Sequence, residues 1–439
     1  MKNILPTLLA SALGLTVAAE GAVPAIELKV KPEREVLVEN GPRETVVQVE
    51  IRAKPSDKKR TTPINLALVL DRSGSMAGAK IEKARQAAAV AVDQLDTDDY
   101  FSLVVYDDEV EVLIPPQKVK DKEAVKRQIY AIRPGGSTAL YAGVEKGAGQ
   151  VRKYLDPEKV NRLILLSDGL ANVGPSSPGD LARLGKELRG EGLSVSTIGL
   201  GEDYNEDLMT ALAEASHANY YYVQDAEKLP EIFTQELGTV KSVAGRNVQV
   251  IITLPEGVKP IRIIGEDEFA FKGQTATLPL SEFSAAQTRR FLISCEAPKV
   301  KDAEIALAQV ELNYVDAESR QAVREIEKVT VRQSPDEAAS QDSIQAEVLA
   351  NRAITENRLA KERAVKLADA GKAEEAARVL ETQHTINASL PAAAQSERLQ
   401  QEQSELKAKS SELQNNGSLS KISRKAIQYD NYRDKTQKR

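Results

Sequence analysis

The sequence predicts an α/β protein: a doubly wound, mostly parallel sheet inserted in an antiparallel β-sandwich and followed by a C-terminal helical hairpin. Three observations carry that expectation. Over residues 64–237 short apolar runs alternate with stretches of helical period, the order that builds a mostly parallel sheet covered on both faces. The period then changes to two, as in Val248, Val250, Ile252 and Leu254, and turn signals such as Pro255-Glu256-Gly257 divide the runs, which is the pattern of a sandwich. After Ser334-Pro335 the composition shifts to Ala, Glu, Lys and Arg, with Ile344, Val348, Leu359 and Val365 on a roughly helical period.

In chain order, Lys2 is followed by an apolar run over residues 4–18, broken by Pro6 and a few small polar residues. Val17-Ala18-Ala19 supplies small residues for cleavage, so residues 1–19 read as a secretory signal peptide. The run is short and its basic flank thin for an uncleaved anchor, and no other segment approaches the ~18 consecutive apolar residues of a membrane span. The mature chain is therefore expected in the periplasm or outside the cell, without a transmembrane span. Residues 25–58 hold the first strands. Val47, Val49 and Ile51 alternate with Gln48, Glu50 and Arg52, the signature of a half-buried strand. Residues 53–62 (AKPSDKKRTT) read as a polar linker.

The α/β unit is expected over 62–238, with strands at 64–70, 100–106, 109–114, 161–167, 193–199 and 219–223. Helices fit 79–95, 121–132, 139–154, 178–189, 205–216 and 227–237. The sandwich is expected over 245–333. A two-stranded unit is marginal alone, so the strands of 25–58 should join the later ones, with a separate N-terminal hairpin as the alternative. Residues 338–415 read as helical. Gly371 suits the end of a first helix and 373–386 a second. Only one such hairpin is visible, where a solenoid needs about three repeats. Leu399, Leu406 and Leu413 recur every seventh residue, but the alternate heptad positions are polar, so this stretch should cover another domain rather than form a coiled coil. Residues 416–439 carry a basic excess and read as a flexible tail.

Composition excludes several functions. A net charge of −6 without a basic stripe argues against nucleic-acid binding. With 4% aromatics and no Trp, stacking platforms for bases or sugars are not expected. Cys295, the sole cysteine, cannot form an intramolecular disulfide or a thiolate zinc cluster, and its alternation with Phe291 and Ile293 marks a buried strand residue. His217 and His384, the only two histidines, fall in different regions. HExxH, GxSxG and P-loop motifs are absent, so an enzyme is not expected.

The stretch with chemistry is Asp71-Arg72-Ser73-Gly74-Ser75, a turn between the apolar run 64–70 and a helix from about Ala79. A carboxylate and two hydroxyls are crowded at the C-terminal end of a strand, the edge where open α/β sheets bind ligands. Oxygen-only ligands suit a hard divalent cation, Mg²⁺ or Mn²⁺ before zinc, with Ca²⁺ an alternative. Alone, the pentapeptide reads equally as a helix N-cap. Two later segments break the tie: Gly135-Gly136-Ser137-Thr138 ahead of a helix, and a strand that ends in Ser167-Asp168-Gly169.

Asp-x-Ser-x-Ser, then a loop Thr, then a strand-end Asp resembles the metal-ion-dependent adhesion site of von Willebrand factor type A domains. Asp71, Ser73, Ser75, Thr138 and Asp168 match it one by one, and the likeness runs from about Pro63 to Leu237. Residues 101–115 (FSLVVYDDEVEVLIP) and 196–209 (STIGLGEDYNEDLM) are similar to bacterial members of that family. Ser216-His217-Ala218-Asn219 departs from it, where relatives often carry glycines. The resemblance implies that Ser73, Ser75 and Thr138 coordinate a metal directly and that Asp71 and Asp168 act mainly through waters. It also implies a protein partner whose exposed Glu or Asp completes the shell. The expected function is thus an exported, metal-dependent protein-binding module. The alternative is a periplasmic scaffold whose metal only stabilises loops.

Overall fold

A computed structural model describes residues 24–55, 62–266, 268–301 and 303–437. The expected signal peptide and residues 56–61 of the expected linker lie outside them. The chain enters through β1 (Ile26–Pro32), β2 (Val36–Val38) and β3 (Glu44–Ala53). It then builds β4 (Ile64–Asp71), α1 (Ala79–Asp93), β5 (Tyr100–Tyr106), β6 (Val110–Lys118), α2 (Lys122–Tyr130) and α3 (Leu140–Val151). Next come β7 (Val160–Ser167), α4 (Pro178–Gly190), β8 (Leu193–Leu200), α5 (Glu206–Ala215), β9 (Tyr220–Val223) and α6 (Leu229–Lys241). Ser242 alone separates α6 from β10 (Val243–Thr253), which opens the series β11 (Lys259–Ile263), β12 (Thr275–Ser284), β13 (Thr288–Glu296), β14 (Glu304–Asp316) and β15 (Ala322–Ser334). Five helices close the described chain: α7 (Glu337–Asp342), α8 (Ala346–Asp369), α9 (Ala373–Ala388), α10 (Glu397–Asn416) and α11 (Lys421–Thr436).

The α/β unit is a six-stranded sheet in the order β6-β5-β4-β7-β8-β9. Its strands are parallel except β6, which pairs antiparallel with β5. Central β4 and β7 are buried along their whole length, because helices cover both faces. Alternate residues of β4 serve opposite cores. Leu66, Leu68 and Leu70 pack with Ala84 and Ala88 of α1 and Phe233 of α6, while Ala67 and Val69 pack with Val144 and Ala148 of α3. A period-two strand between two helical layers gives this division directly.

The sandwich closes around the insertion. One sheet has the order β1-β3-β13-β11 and the other β12-β10-β14-β15-β2. β3 lies between β1 and β13, with Val49 opposite Phe291, so the strands before the α/β unit share a sheet with those after it. A separate N-terminal hairpin is thereby ruled out. Val47, Val49, Ile51, Phe291, Ile293 and Cys295 face Val250 and Leu312 of the second sheet in one core.

The second face of β3 differs from the half-buried expectation. Gln48 and Glu50 are also buried, Gln48 beneath Asn351 of α8 and Glu50 beside Arg290 of β13. Asn351 donates to Gln48 Oε1 at 2.8 Å, Arg290 pairs with Glu50 at 2.6 Å, and Leu359 packs on Val46, Ile264 and Leu292. Polar residues are tolerated there because each meets a partner. α8 and α9 form the expected hairpin, and α10 joins it. Leu406 and Leu413 pack with Ala364, Ala376, Ala377 and Leu380, and Leu399 packs with Ala353 and Ile354.

Residues 416–439 do not form a flexible tail in their described part. After Gly417, in the left-handed region at φ 68°, the chain turns into α11, capped by the Ser420 side chain on the Ser423 N–H. Few of its residues are apolar, but Ile427 and Tyr432 are buried. Its cations meet acids of α5: Arg424 and Lys425 pair with Glu206, and Lys435 pairs with Glu214 at 2.9 Å. The anionic surface that this basic stretch seeks is in its own chain. Among the described residues no helix is long and apolar enough to cross a membrane.

α3 approaches the sheet closely at Gly147. A Cβ there would stand 2.4 Å from Val69 Cγ2 and 2.8 Å from Leu163 Cδ1. Gly147→Ala should therefore destabilise the protein by about 1–3 kcal/mol, despite the roughly 1 kcal/mol that Ala gains over Gly in a helix. Urea unfolding followed by fluorescence of the tyrosines tests this, and an unchanged or higher midpoint would contradict the packing described.

Candidate functional site

β4 and β7 are parallel neighbours with Leu70 opposite Leu166, so Asp71 and Asp168 emerge side by side at the C-terminal edge of the sheet. Between β4 and α1 the chain makes the short 3-10 turn Gly74–Met76, anchored by the buried Met76 side chain. Ser73 and Ser75 lie on that turn, and their Oγ atoms are 3.0 Å apart. The loop before α3 is held against it by two backbone bonds, Gly135 N–H to Arg72 O at 2.7 Å and Gly74 N–H to Gly136 O at 3.1 Å. Gly136 has φ 68°, and a Cβ on it would collide with Asp108 Oδ1 at 1.8 Å, so only glycine fits this crossing. The crossing delivers Thr138, whose N–H donates to Asn172 Oδ1 at 2.9 Å.

The structure brings all five sequence-selected residues together. Asp71 Oδ1 accepts from the Ser73 N–H at 2.8 Å and Oδ2 from Ser167 Oγ at 2.7 Å. Asp168 Oδ1 accepts from Ser75 Oγ at 2.7 Å. Thr138 Oγ1 and Ser75 Oγ converge: they lie 3.1 and 3.5 Å from the point where a Cβ on Gly169 would stand. His217 is elsewhere, at the turn into β9 and thus at the opposite edge of the sheet, beside Arg189.

Both carboxylates are fully buried. Desolvation raises the Asp71 carboxyl to about 6, and the charge of Asp168 adds to the rise, against hydrogen bonds from Ser73 and Ser167 that lower it. A buried acid whose ionised form is under-compensated calls for a nearby cation. One stands beside the second carboxylate rather than beside Asp71. Lys80, in the first turn of α1, pairs with Asp168 Oδ2. Lys80, Ser167 and Asn172 were not singled out in the sequence. Ser167 sits in the Ser-Asp-Gly run itself and could have been found as a strand-end hydroxyl beside a carboxylate. A lysine in a first helical turn and a loop asparagine carry no such signal.

The donor set fits a hard divalent cation. Three hydroxyl oxygens and two buried carboxylates converge, no sulfur or imidazole competes, and the neutral hydroxyls leave charge demand on the ion unmet. Among the described residues no three His, Cys, Asp or Glu side chains cluster to hold a metal, which sets this hydroxyl-rich group apart from a zinc-type site. The group opens into a cleft of about 640 Å³. Ser73, Ser75, Thr138 and Asp168 line one side, the loop 202–207 another, and Lys421, Arg424 and Lys425 of α11 reach it from the far end of the chain.

Comparison with known proteins agrees with this architecture. Residues 65–235 match the family model of the von Willebrand factor type A domain. The chain is 26% identical to an uncharacterized protein of Synechocystis, over 63% of this chain and 67% of that one. It is 26% identical to the uncharacterized protein YfbK of Escherichia coli, over 51% of this chain and 40% of that one. To human inter-alpha-trypsin inhibitor heavy chain H2 it is 28% identical, over 40% of this chain and 20% of that one. The matches thus span less than half the length of the latter two relatives. A von Willebrand factor type A protein from Catenulispora acidiphila has the same fold, with a TM-score of 0.67 at 20% identity over 90% of this chain and 99% of that one. The ArnB paralog VWA2 from Sulfolobus acidocaldarius gives 0.60 at 19% identity, over 94% and 99%. The fold likeness therefore extends beyond the inserted sheet to the sandwich and the helices. Residues 65–235 of this chain are a von Willebrand factor type A domain.

Proposed function

We propose that the protein is an exported, metal-dependent protein-binding module of the periplasm or the extracellular space. Asp71, Ser73, Ser75, Thr138 and Asp168 would hold Mg²⁺ or Mn²⁺, with Ca²⁺ an alternative. The ion supplies an electrophilic position at which a Glu or Asp of a partner protein binds. The observation that carries this reading is the convergence of three hydroxyls and the buried Asp168 carboxylate on one open cleft, with the buried Asp71 directly behind them. Protein–protein contact is the common role of domains in this family, frequently through a metal.

A scaffold whose metal only ties loops together has less support. The loops are already tied: Gly135 to Arg72, Gly74 to Gly136, Ser75 to Asp168 and Asn172 to Thr138 are bonded directly. Arg72 adds ion pairs at 2.9 Å to Asp107 and Glu111. A metal adds little rigidity to such a framework. It adds instead a charge at the cleft, where an incoming carboxylate gains pairing in a partly dry setting.

Asp71→Ala should abolish Mn²⁺ binding in calorimetry while the fold survives, and Thr138→Ala should weaken it less, since one neutral ligand is lost. Unchanged binding heat in Asp71→Ala would refute the site. In chelator a captured partner should dissociate, and Mg²⁺ should restore it. Replacing the partner's central carboxylate by its amide should cost on the order of 2–5 kcal/mol.

Lys80 provides a second check. Its ammonium competes with a divalent ion for Asp168, so Lys80→Met should tighten Mn²⁺ binding about tenfold and lower the melting temperature of the metal-free protein. Weaker Mn²⁺ binding in that variant would mean that Lys80 organises the site rather than opposing the ion. Export is checked by sequencing the mature N-terminus, which should begin at Glu20. A protein retained in the cytoplasm with Met1 intact would sink that part of the reading.

A further inference from the structure

The cleft has one wall that is acidic by sequence. Glu202, Asp203, Glu206 and Asp207 follow one another along the loop after β8 and the first turn of α5. Four carboxylates facing the approach to a carboxylate-binding ion would repel the ligand that the ion is meant to hold. Within the domain, Lys80 comes near this wall beside Gly201 and acts on Asp203 at a distance, but it forms its ion pair with Asp168. Asn205 caps α5, and Tyr204, its ring lying on Gly199, bonds Tyr220 through the two hydroxyls at 2.7 Å. These fix the loop's apolar side only.

The answer comes from α11. Lys421 pairs with Asp203 at 3.0 Å. Arg424 pairs with Glu206 at 2.5 Å, with Asp207 at 2.8 Å and, from the helical hairpin, with Asp369 at 2.8 Å. Lys425 is 3% exposed, donates to the Tyr204 carbonyl at 2.7 Å, pairs with Glu206, and lies 4.3 Å over the Tyr204 ring. Gln428 donates to Asp207 Oδ1 at 2.8 Å. The helix is held in place along its length. Tyr429 and Tyr432 meet the Tyr220 ring edge-on, and Gln437 exchanges hydrogen bonds with the backbone of Arg290 in β13. α11 thus runs, over about 24 Å, from the cleft to the sandwich.

We propose that α11 is part of the partner-binding surface: Lys421, Arg424 and Lys425 pair with Asp203, Glu206 and Asp207, offset most of the charge of the acidic wall, fix it in place, and so admit an acidic protein segment to the metal site. The proposal rests on the metal-and-carboxylate reading above. Arg424 and Lys425 are positioning residues in this scheme. They touch Glu206 and Asp207 rather than the ion. Buried ion pairs of this kind contribute little net stability, which leaves their cost unexplained by folding alone. Lys421 is different. Its pair with Asp203 is exposed on both sides, so it exchanges partners at low cost and can meet an acid on the incoming segment.

The test compares two probes on the full chain. Mn²⁺ alone is titrated calorimetrically, and binding to immobilised heptapeptides with a central Glu is measured with Mn²⁺ present. In Arg424→Gln the peptides should bind at least fivefold more weakly at low salt, while Mn²⁺ binds as tightly as before or more tightly, because uncovered carboxylates attract a cation and repel an anion. The peptide defect should shrink at high salt, and Arg424→Lys should recover most of it. A variant that had merely loosened the structure would lose both ligands together, and that result would overturn the proposal. Lys421→Gln, at an exposed position, provides the same comparison without risk to folding. Equal peptide binding in wild type and both Gln variants would also overturn it. Should the wild-type chain with Mn²⁺ hold no Glu-centred peptide, the metal-and-carboxylate reading falls first and this proposal with it.

Discussion

The pairing of β3 with β13 is the contact on which the whole arrangement depends. It joins residues 44–52 to 288–296 in perfect antiparallel register and encloses the entire von Willebrand factor type A domain within the loop it closes. Loop-closure entropy grows only slowly with length, so a folded insertion of this size is compatible with a stable sandwich. The insertion in turn is anchored at both ends: β3 leads to it, and α6 passes into β10 through Ser242 alone. The sandwich therefore serves as the base from which the sheet edge bearing Asp71 and Asp168 projects. α8 reinforces that base on the outer face of β3, where Asn351 meets Gln48 and Leu359 packs on Val46.

The electrostatic character of the site follows from the same geometry. A parallel sheet buried on both faces places strand-end carboxylates where water is scarce. Asp71 feels this as a raised pKa, while Asp168 pairs with Lys80 and accepts a hydrogen bond from Ser75. The charge on the neighbouring wall is handled in the same way by cations from a distant helix. Asp168 and the acidic wall thus face one cleft, and each meets a lysine or arginine that sequence distance hides.

What could be read from the sequence was what depends on neighbours along the chain. β4 and β7 announce themselves as continuous apolar runs, and the turn 71–75 lies wholly within five residues. Thr138 and Asp168 were legible because each follows its own local signal, a Gly-Gly turn and a strand end. The failures share one cause. Gln48 and Glu50 alternate like exposed residues, and their partners, Asn351 and Arg290, come 303 and 240 positions later. α11 has the composition of a solvated tail, because its partners in α5 are acids rather than apolar side chains, 217 to 221 positions away. Periodicity registers burial in a hydrophobic core. It is blind to a helix held by ion pairs and by tyrosine edges.

The dependence of the cleft on α11 has a consequence for the order of assembly. Chains are made from the N-terminus, and domains fold as they emerge. The proposed ligand set Asp71, Ser73, Ser75, Thr138 and Asp168 is complete once β7 and its loop exist, whereas Arg424 and Lys425 are added more than two hundred residues later. Until then the acids of the loop 202–207 lack the ion pairs that α11 gives to Asp203, Glu206 and Asp207. On the proposed reading, a nascent or truncated chain can therefore own every proposed metal ligand and still present a repulsive approach to an acidic segment until α11 has been made.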